Sequence, residues 1–266
     1  MINAADLKQG LKCRRFGERI HAFEVIDSTN TFARSLAAGG ASEGTLIVAE
    51  EQTAGKGRMG RRWLARPGEN LTFSLILRPS IPPSCINLLP LGVAVAVAHG
   101  VRRATALNVY CKWPNDLLLR GKKVAGILME SVYGKRGLEF VVVGIGINVN
   151  QVTFPVEVSP RATSLALQLH APVDRIALLR SVLESLEEEY DNMSSAGFQN
   201  ILPAWLELAP MIGTRISADM QGTTVTGTVR GVTPEGALLL HTEAGDHTLF
   251  AGDVTILEME SYAPRN

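Results

Sequence analysis

Residues 138–150 read LEFVVVGIGINVN, and no other stretch constrains the fold as strongly. In an extended chain, period two sends Val143, Ile145, Ile147 and Val149 to one side and Gly144, Gly146, Asn148 and Asn150 to the other. The first side is core. The second is bare backbone followed by amides, and glycines inside a strand mark the close approach of a flat ligand or of a tightly packed neighbouring element. A cover for the core side is at hand in residues 87–106, a stretch rich in Ala and Val that is apolar almost all round. It reads as a central buried helix, with His99 as a satisfied core histidine.

The remaining pattern mixes both periods. Strands are predicted at 21–26, 45–50, 71–77, 109–112 and 122–130, and helices at 4–11, 31–38, from Asp174 through Tyr190, and at 196–208. Beyond Pro210 the character changes to short strands with turns at Gly213, Gly222, Gly231, Pro234-Glu235-Gly236 and Gly245-Asp246. The expected architecture is α+β. A mixed sheet flanked by helices occupies residues 1–209, and a small β-barrel occupies 210–266.

Residues 51–63, EQTAGKGRMGRRW, interleave Gly55, Gly57 and Gly60 with Lys56, Arg58, Arg61 and Arg62. Glycines allow backbone N–H groups to converge on an anion, and guanidinium forks grip phosphoryl or carboxylate oxygens. Composition alone leaves a phosphate-binding loop and an ordinary surface loop equally open. The G-x-G-x-x-G spacing does not make a dinucleotide fold, because no helical period follows and LTFSLIL continues as a strand. The P-loop pattern fails as well, since no Ser or Thr follows Lys56. What is left is a basic loop between two strands, able to close over a charged ligand. With 26 Lys+Arg against 26 Asp+Glu the chain has no overall field, so electrostatic recognition must be local.

Two further segments admit both a structural and a binding role. Asp27-Ser28-Thr29-Asn30 are good helix caps and also a ring of small polar groups. Trp113-Pro114-Asn115-Asp116 ends a strand, where a turn and a ligand contact are equally natural. Lys122 and Lys123 open the next strand, where lysines commonly guard an edge. Three cysteines, Cys13, Cys85 and Cys111, are odd in number and lack C-x-x-C spacing, which points to reduced thiols in a cytoplasmic setting. The five histidines form no metal-ligand pattern, so no protein metal site is expected. No apolar run is expected to span a membrane, and the amino terminus MINAADLKQG lacks a signal peptide's apolar core.

Taken in order, these strings resemble the biotin protein ligases. The resemblance is carried by Ser28-Thr29-Asn30, by Gly55-Lys56-Gly57-Arg58-Met59-Gly60-Arg61 with Trp63, by Lys112-Trp113-Pro114-Asn115-Asp116 with Lys123-Val124-Ala125-Gly126-Ile127-Leu128, and by Gly144-Ile145-Gly146-Ile147-Asn148. It implies a class II synthetase-like catalytic domain followed by an SH3-like barrel. It also implies condensation of biotin with ATP, accompanied by Mg²⁺, to biotinyl-5′-AMP, and transfer of biotin to one lysine of a biotin carboxyl carrier protein such as the acetyl-CoA carboxylase subunit. By resemblance, Ser28, Thr29, Asn30 and Gln52 hold the ureido head of biotin against Gly144 and Gly146. Lys56, Gly57 and Arg58 surround the carboxylate and the adenylate phosphate, Lys123 and Arg58 stabilise the charge that develops there, and Arg61, Trp63, Asp116 and Asn148 hold the nucleotide. Where the family loop usually begins with arginine this chain has Lys56, which keeps the charge and loses the fork, so looser retention of the adenylate is expected.

Only 27 residues precede Ser28, too few for the winged helix of the bifunctional members, so the expectation is a monofunctional cytoplasmic enzyme without DNA or membrane partners. A homodimer is allowed. The competing readings are a lipoate or octanoate ligase on the same fold, for which Cys111 is the thiol to inspect as a nucleophile, and a nucleotide- or biotin-binding regulator without catalysis.

Overall fold

The structure, a computed structural model, describes residues 1–135, 137–220 and 222–258. After a short helix α1 (Ala4–Lys8), strand β1 (Ile20–Ile26), helix α2 (Thr29–Ala38) and strand β2 (Leu46–Gln52) form a parallel crossover. Strand β3 (Leu71–Leu77), helix α3 (Leu89–Thr105) and strands β4 (Tyr110–Lys112), β5 (Asp116–Leu119), β6 (Lys122–Gly134) and β7 (Gly137–Ile147) follow. The seven strands lie in the order β1-β2-β3-β7-β6-β5-β4, antiparallel except for the first pair.

Both faces of the sheet are covered, and this arrangement creates the site. Val143, Ile145 and Ile147 point into the main core with α3, of whose 17 residues 11 are buried. Behind α3 runs α5 (Arg175–Ala196), which comes so close that Ser181 Oγ donates to the Gly100 carbonyl at 2.9 Å. On the other face, α2 sets Ala33 and Ala37 on Ile47, Ile76, Phe140 and Val142. Two and four residues beyond Val142 on that face stand Gly144 and Gly146. The apolar cover therefore stops at the first turn of α2, and a hollow begins over the glycines.

The helices α4 (Leu165–Leu169) and α6 (Ile201–Glu207) complete the first unit. Strands β8 (Arg215–Met220), β9 (Thr223–Val232), β10 (Leu238–Thr242), β11 (Gly245–Leu249) and β12 (Asp253–Glu258) form an antiparallel sheet ordered β11-β10-β9-β8-β12. The two units share a core, since Ile216, Ala218, Val229 and Leu238 join the cluster built on α3. Trp113 lies at their junction, 2% exposed, with its Nε1 donating to the Gly236 carbonyl at 3.0 Å.

Three local expectations change. The predicted helix 196–208 starts late, because α5 runs to Ala196 and Gly197, at φ 88°, breaks the chain before α6. His99 is exposed on the far side of α3. Finally, Pro83–Thr105 is long and apolar enough to cross a membrane by composition, although 67% of its most apolar window is buried in the protein's own core.

Candidate active site

The floor of the hollow is set by strand register. Thr72 on β3, Gly146 on β7, Gly126 on β6 and Asp116 on β5 stand opposite one another, and so do Ser74, Gly144 and Leu128 in the next row. Directly opposed residues share a face. Three glycines in adjacent strands thus clear a patch with polar residues at both margins.

The start of α2 forms one wall. Ser28 caps the helix, its Oγ accepting from Thr31 N at 3.4 Å, so the capping role and the binding position coincide. Thr29 donates to Gln52 Oε1 from both its N–H (2.7 Å) and its hydroxyl (3.0 Å). Asn30 donates from Nδ2 to the Glu130 carboxylate at 2.7 Å, and its Oδ1 lies 2.7 Å from Ser74 Oγ. All three residues are buried, at 1%, 2% and 4% exposure. Polar side chains so deep in the protein are tolerated because they are hydrogen-bonded.

The basic loop forms the opposite wall, and it differs from the anion concavity that its glycines suggested. Gly57 N donates to the Arg61 carbonyl at 2.7 Å, Arg61 N to the Arg58 carbonyl at 3.1 Å and Trp63 N to the Gly55 carbonyl at 3.1 Å. These amides fold the loop on itself, so its cations are what it presents to the cleft. Arg58 donates to Asn115 Oδ1 at 3.0 Å and to the Gly252 carbonyl at 3.3 Å; burial lowers its pKa from the ordinary arginine value. Arg61 pairs with Asp253 at 2.6 Å. Burial alone would raise the Asp253 carboxyl, but the hydrogen bond and charge of Arg61 overcome it and hold the group below the usual carboxylate range.

Lys123 sits in the corner between the walls. Lys123 stands opposite Leu118 of β5, next to a register shift between Leu117 and Leu118, and on its other side the chain at 161–163 bridges to it, with Lys123 N donating to the Arg161 carbonyl and Thr163 N to the Lys123 carbonyl. Lys123 is therefore held from both sides inside the sheet and guards no edge. Its Nζ lies 2.6 Å from Asp116 Oδ1, while Lys112 reaches the other oxygen at 3.6 Å.

The cavity measures about 140 Å³, and five cations (Lys56, Arg58, Arg61, Arg62, Lys123) line it against two carboxylates (Asp116, Asp253). Such an excess favours anionic ligands. The cavity is small because Trp63 fills part of it. A Cβ at Gly146 would come 2.2 Å from the indole and one at Gly126 3.2 Å, so the ring lies on the glycine patch, with Lys123 Nζ 5.7 Å from its centre. The indole Nε1 is buried without a hydrogen-bond partner among the described residues. On the outer side of the same loop a wider groove of about 780 Å³ opens.

Ser28, Thr29, Asn30, Gln52, Lys56, Gly57, Arg58, Arg61, Trp63, Asp116, Lys123, Gly144 and Gly146 all line this one cavity. Asn148 does not. It is 5% exposed and its Nδ2 donates to the Thr163 carbonyl at 3.0 Å, so it supports the segment that clamps Lys123. The glycine face is also not bare, since Asn30 covers Gly144 and Trp63 covers Gly146. Cys111 is 1% exposed and burial pushes its thiol up to about 12, which leaves no nucleophilic thiolate. Sequence reasoning missed Ser74, Glu130, Gly252 and Asp253; each comes from a segment remote in the chain, and none stands in a recognisable string. Among the described residues no cluster of three His, Cys, Asp or Glu side chains could hold a metal ion.

Comparison with known proteins places these features in context. Residues 22–148 match the biotin/lipoate A/B protein ligase family, and residues 211–257 match the biotin protein ligase C terminal domain. The bifunctional ligase/repressor BirA of Bacillus subtilis is 38% identical over 257 residues, covering 96% of this chain and 79% of that protein. The biotin–[acetyl-CoA-carboxylase] ligase of Paracoccus denitrificans is 35% identical over 233 residues, covering 86% and 96%. Among solved structures, the biotin protein ligase from Aquifex aeolicus in complex with biotin and ATP superposes with a TM-score of 0.79 at 30% identity, covering 91% of this chain and all of that one.

Proposed function

The chain belongs to the biotin protein ligase family, and from that premise we propose how its cleft carries out ATP-dependent biotin ligation. The biotin carboxylate attacks the α-phosphorus of ATP, the bond to the β-phosphate breaks, and pyrophosphate leaves. The product is biotinyl-5′-AMP. The amine of an acceptor lysine on a biotin carrier protein then attacks the anhydride carbonyl, and AMP leaves.

The observation that carries the assignment is convergence. One cavity joins a hydrogen-bonding wall at Ser28–Asn30, a glycine floor at Gly126, Gly144 and Gly146, and five cations. Bringing a carboxylate to within ~4 Å of an anionic phosphate costs roughly 4 kcal/mol at a near-surface dielectric. Lys56 and Arg58 on the loop and Lys123 on β6 offset that repulsion. Fixed cations also stabilise the charge that grows on the phosphoryl oxygens, without a covalent enzyme intermediate. Asn115 and the Gly252 carbonyl preset Arg58, and Asp116 presets Lys123, so little reorganisation remains at the moment of reaction.

Ser28, Thr29, Asn30 and Gln52 bind the ureido head. The ring of biotin takes the place that Trp63 now occupies over Gly146, and the displaced indole turns its flat face toward adenine. An indole whose N–H lacks an acceptor among the described residues gives up no hydrogen bond to them in leaving. Arg61 and Asp116 hold the nucleotide. Mg²⁺ arrives with the phosphates, and the carrier is a biotin carboxyl carrier protein.

The test is pyrophosphate release by the purified protein with biotin and lipoate supplied separately, followed by mass spectrometry of an added biotin carrier domain. Release dependent on biotin, with one biotinyl mass gained, is expected. Release with lipoate alone would move the substrate, and release with neither would leave a binding protein.

A further inference from the structure

Ser74 lies directly behind the cavity wall, 0% exposed, in the strand position facing Gly144. Its Oγ is 2.7 Å from Thr29 Oγ1 and 2.7 Å from Asn30 Oδ1, while Thr29 Oγ1 is 3.0 Å from Gln52 Oε1. These are three oxygen–oxygen contacts in a row, and each needs a hydrogen. Two of the four oxygens are carboxamide oxygens, which only accept. Rotating the amides does not help. Gln52 must turn its oxygen to the Thr29 backbone N–H at 2.7 Å, and Asn30 must turn its nitrogen to the Glu130 carboxylate at 2.7 Å and the Leu128 carbonyl. The two hydroxyls of Thr29 and Ser74 supply two hydrogens for three contacts. Whatever their rotation, one oxygen pair stays without a proton.

A wall short of one hydrogen is a wall that binds donors. We propose that Ser74, with Glu130 fixing Asn30, is a positioning residue that makes the site select a ligand head group bearing N–H donors. The proposal rests on the biotin ligase reading and names its specificity device. A cyclic urea directs two N–H groups outward, so one of them completes the network through Thr29 or Asn30. A dithiolane ring has none and would bury the deficit. Ser74 touches no ligand, since it does not line the cavity; it acts by holding Thr29 and Asn30 in their acceptor orientation.

The experiment compares biotin with two cyclic carbamate analogues, each replacing one ureido N–H by oxygen, in biotin-dependent pyrophosphate release by wild type and Ser74→Ala. Wild type is expected to prefer biotin over at least one analogue by roughly ten-fold or more in KM, the scale of one unmet buried hydrogen bond. In Ser74→Ala that preference should collapse to within about three-fold, with KM for biotin raised and kcat and KM for ATP little changed. Ser74→Cys, a weaker donor of similar shape, should fall between, and it carries the test where the alanine variant does not fold. The proposal is overturned if wild type does not distinguish the analogues, or if the Ser74 variants weaken biotin and both analogues by one common factor. A wild-type protein that releases no pyrophosphate with biotin would instead refute the ligase reading itself.

Discussion

Gly144 and Gly146 stand two residues apart on one face of one strand, yet alanine should do opposite things at the two positions. At Gly144 a Cβ would lie 2.1 Å from Asn30 Oδ1 and 2.8 Å from its Cγ. Ordinary contact begins near 3.4 Å, so the amide must move by more than an ångström. Asn30 cannot do so without abandoning the half-buried Glu130 and the fully buried Ser74, both at 2.7 Å. Leaving the buried Ser74 hydroxyl unmet costs about 1–3 kcal/mol and the half-buried Glu130 adds less, which puts the loss near ~2–4 kcal/mol. For a chain of this size that lowers Tm by roughly 5–15 °C. At Gly146 the same methyl would lie 2.2 Å from the Trp63 ring, whose N–H has no partner among the described residues and whose loop is folded largely on itself. The ring swings aside, and Tm should fall by less than about 3 °C, within the range of an ordinary surface change. Biotin binding should nevertheless weaken in both variants, because both crowd the same floor. Calorimetry gives Tm, and biotin-dependent pyrophosphate release gives KM. Equal Tm losses, or a stable Gly144→Ala with wild-type KM, would refute the division of the face into a fixed half and a movable half.

Other perturbations test the remaining parts. Asp253→Asn should leave Tm nearly unchanged, since Arg61 is 63% exposed and such pairs contribute about 0–1 kcal/mol, but it should free the loop; faster tryptic cleavage at residues 58–62 and a higher KM for ATP are the readouts. Lys123→Ala should slow single-turnover adenylate formation by about 10²–10³ while Lys112 keeps Asp116 paired and the fold intact; adenylate formed at the wild-type rate would remove Lys123 from the mechanism. Glu187 accepts from three consecutive backbone amides, those of Arg14, Arg15 and Phe16, at 2.7, 2.7 and 3.0 Å. Burial alone would raise its pKa, but these bonds bring it below the ordinary value, so its stabilisation is complete above the unfolded pKa of ~4.3 and disappears as pH falls through the folded value. Glu187→Gln should therefore lower Tm most at pH 6–8, and the gap to wild type should narrow as pH falls below the unfolded value of ~4.3; a gap independent of pH would contradict this.

How much of this was legible beforehand follows from the range of each interaction. The alternation in 138–150 and the apolar run of α3 are properties of consecutive residues, so the mixed sheet and its central helix could be anticipated. The same holds for Ser28–Asn30, the loop cations and Lys123, which stand in short strings and reach one cavity because those strings end neighbouring elements. What could not be read is which of two permitted roles a residue takes once its partners arrive. Trp113 and Asn148 looked like ligand contacts, yet the Gly236 and Thr163 carbonyls claim their N–H groups. Trp63 looked like a nucleotide platform, yet its ring lies on the glycine patch at Gly126 and Gly146.

The residues that escaped notice altogether are those whose roles depend on charge or proton balance across distant segments. Asp253 matters because Arg61, 192 positions away in the chain, meets it. Ser74 is an unremarkable hydroxyl in LTFSLIL until β3 and α2 place it between two side chains that cannot both receive its hydrogen. A count of donors and acceptors is a property of the assembled wall, and no substring contains it. This is also why the wall can discriminate. A site built to hydrogen-bond rejects an analogue lacking the matching group because its own buried partner is left unmet, and with one contact at stake here the margin is roughly ten-fold or more. In this wall the unmet contact exists before the ligand arrives, so the discrimination is built into the folded protein.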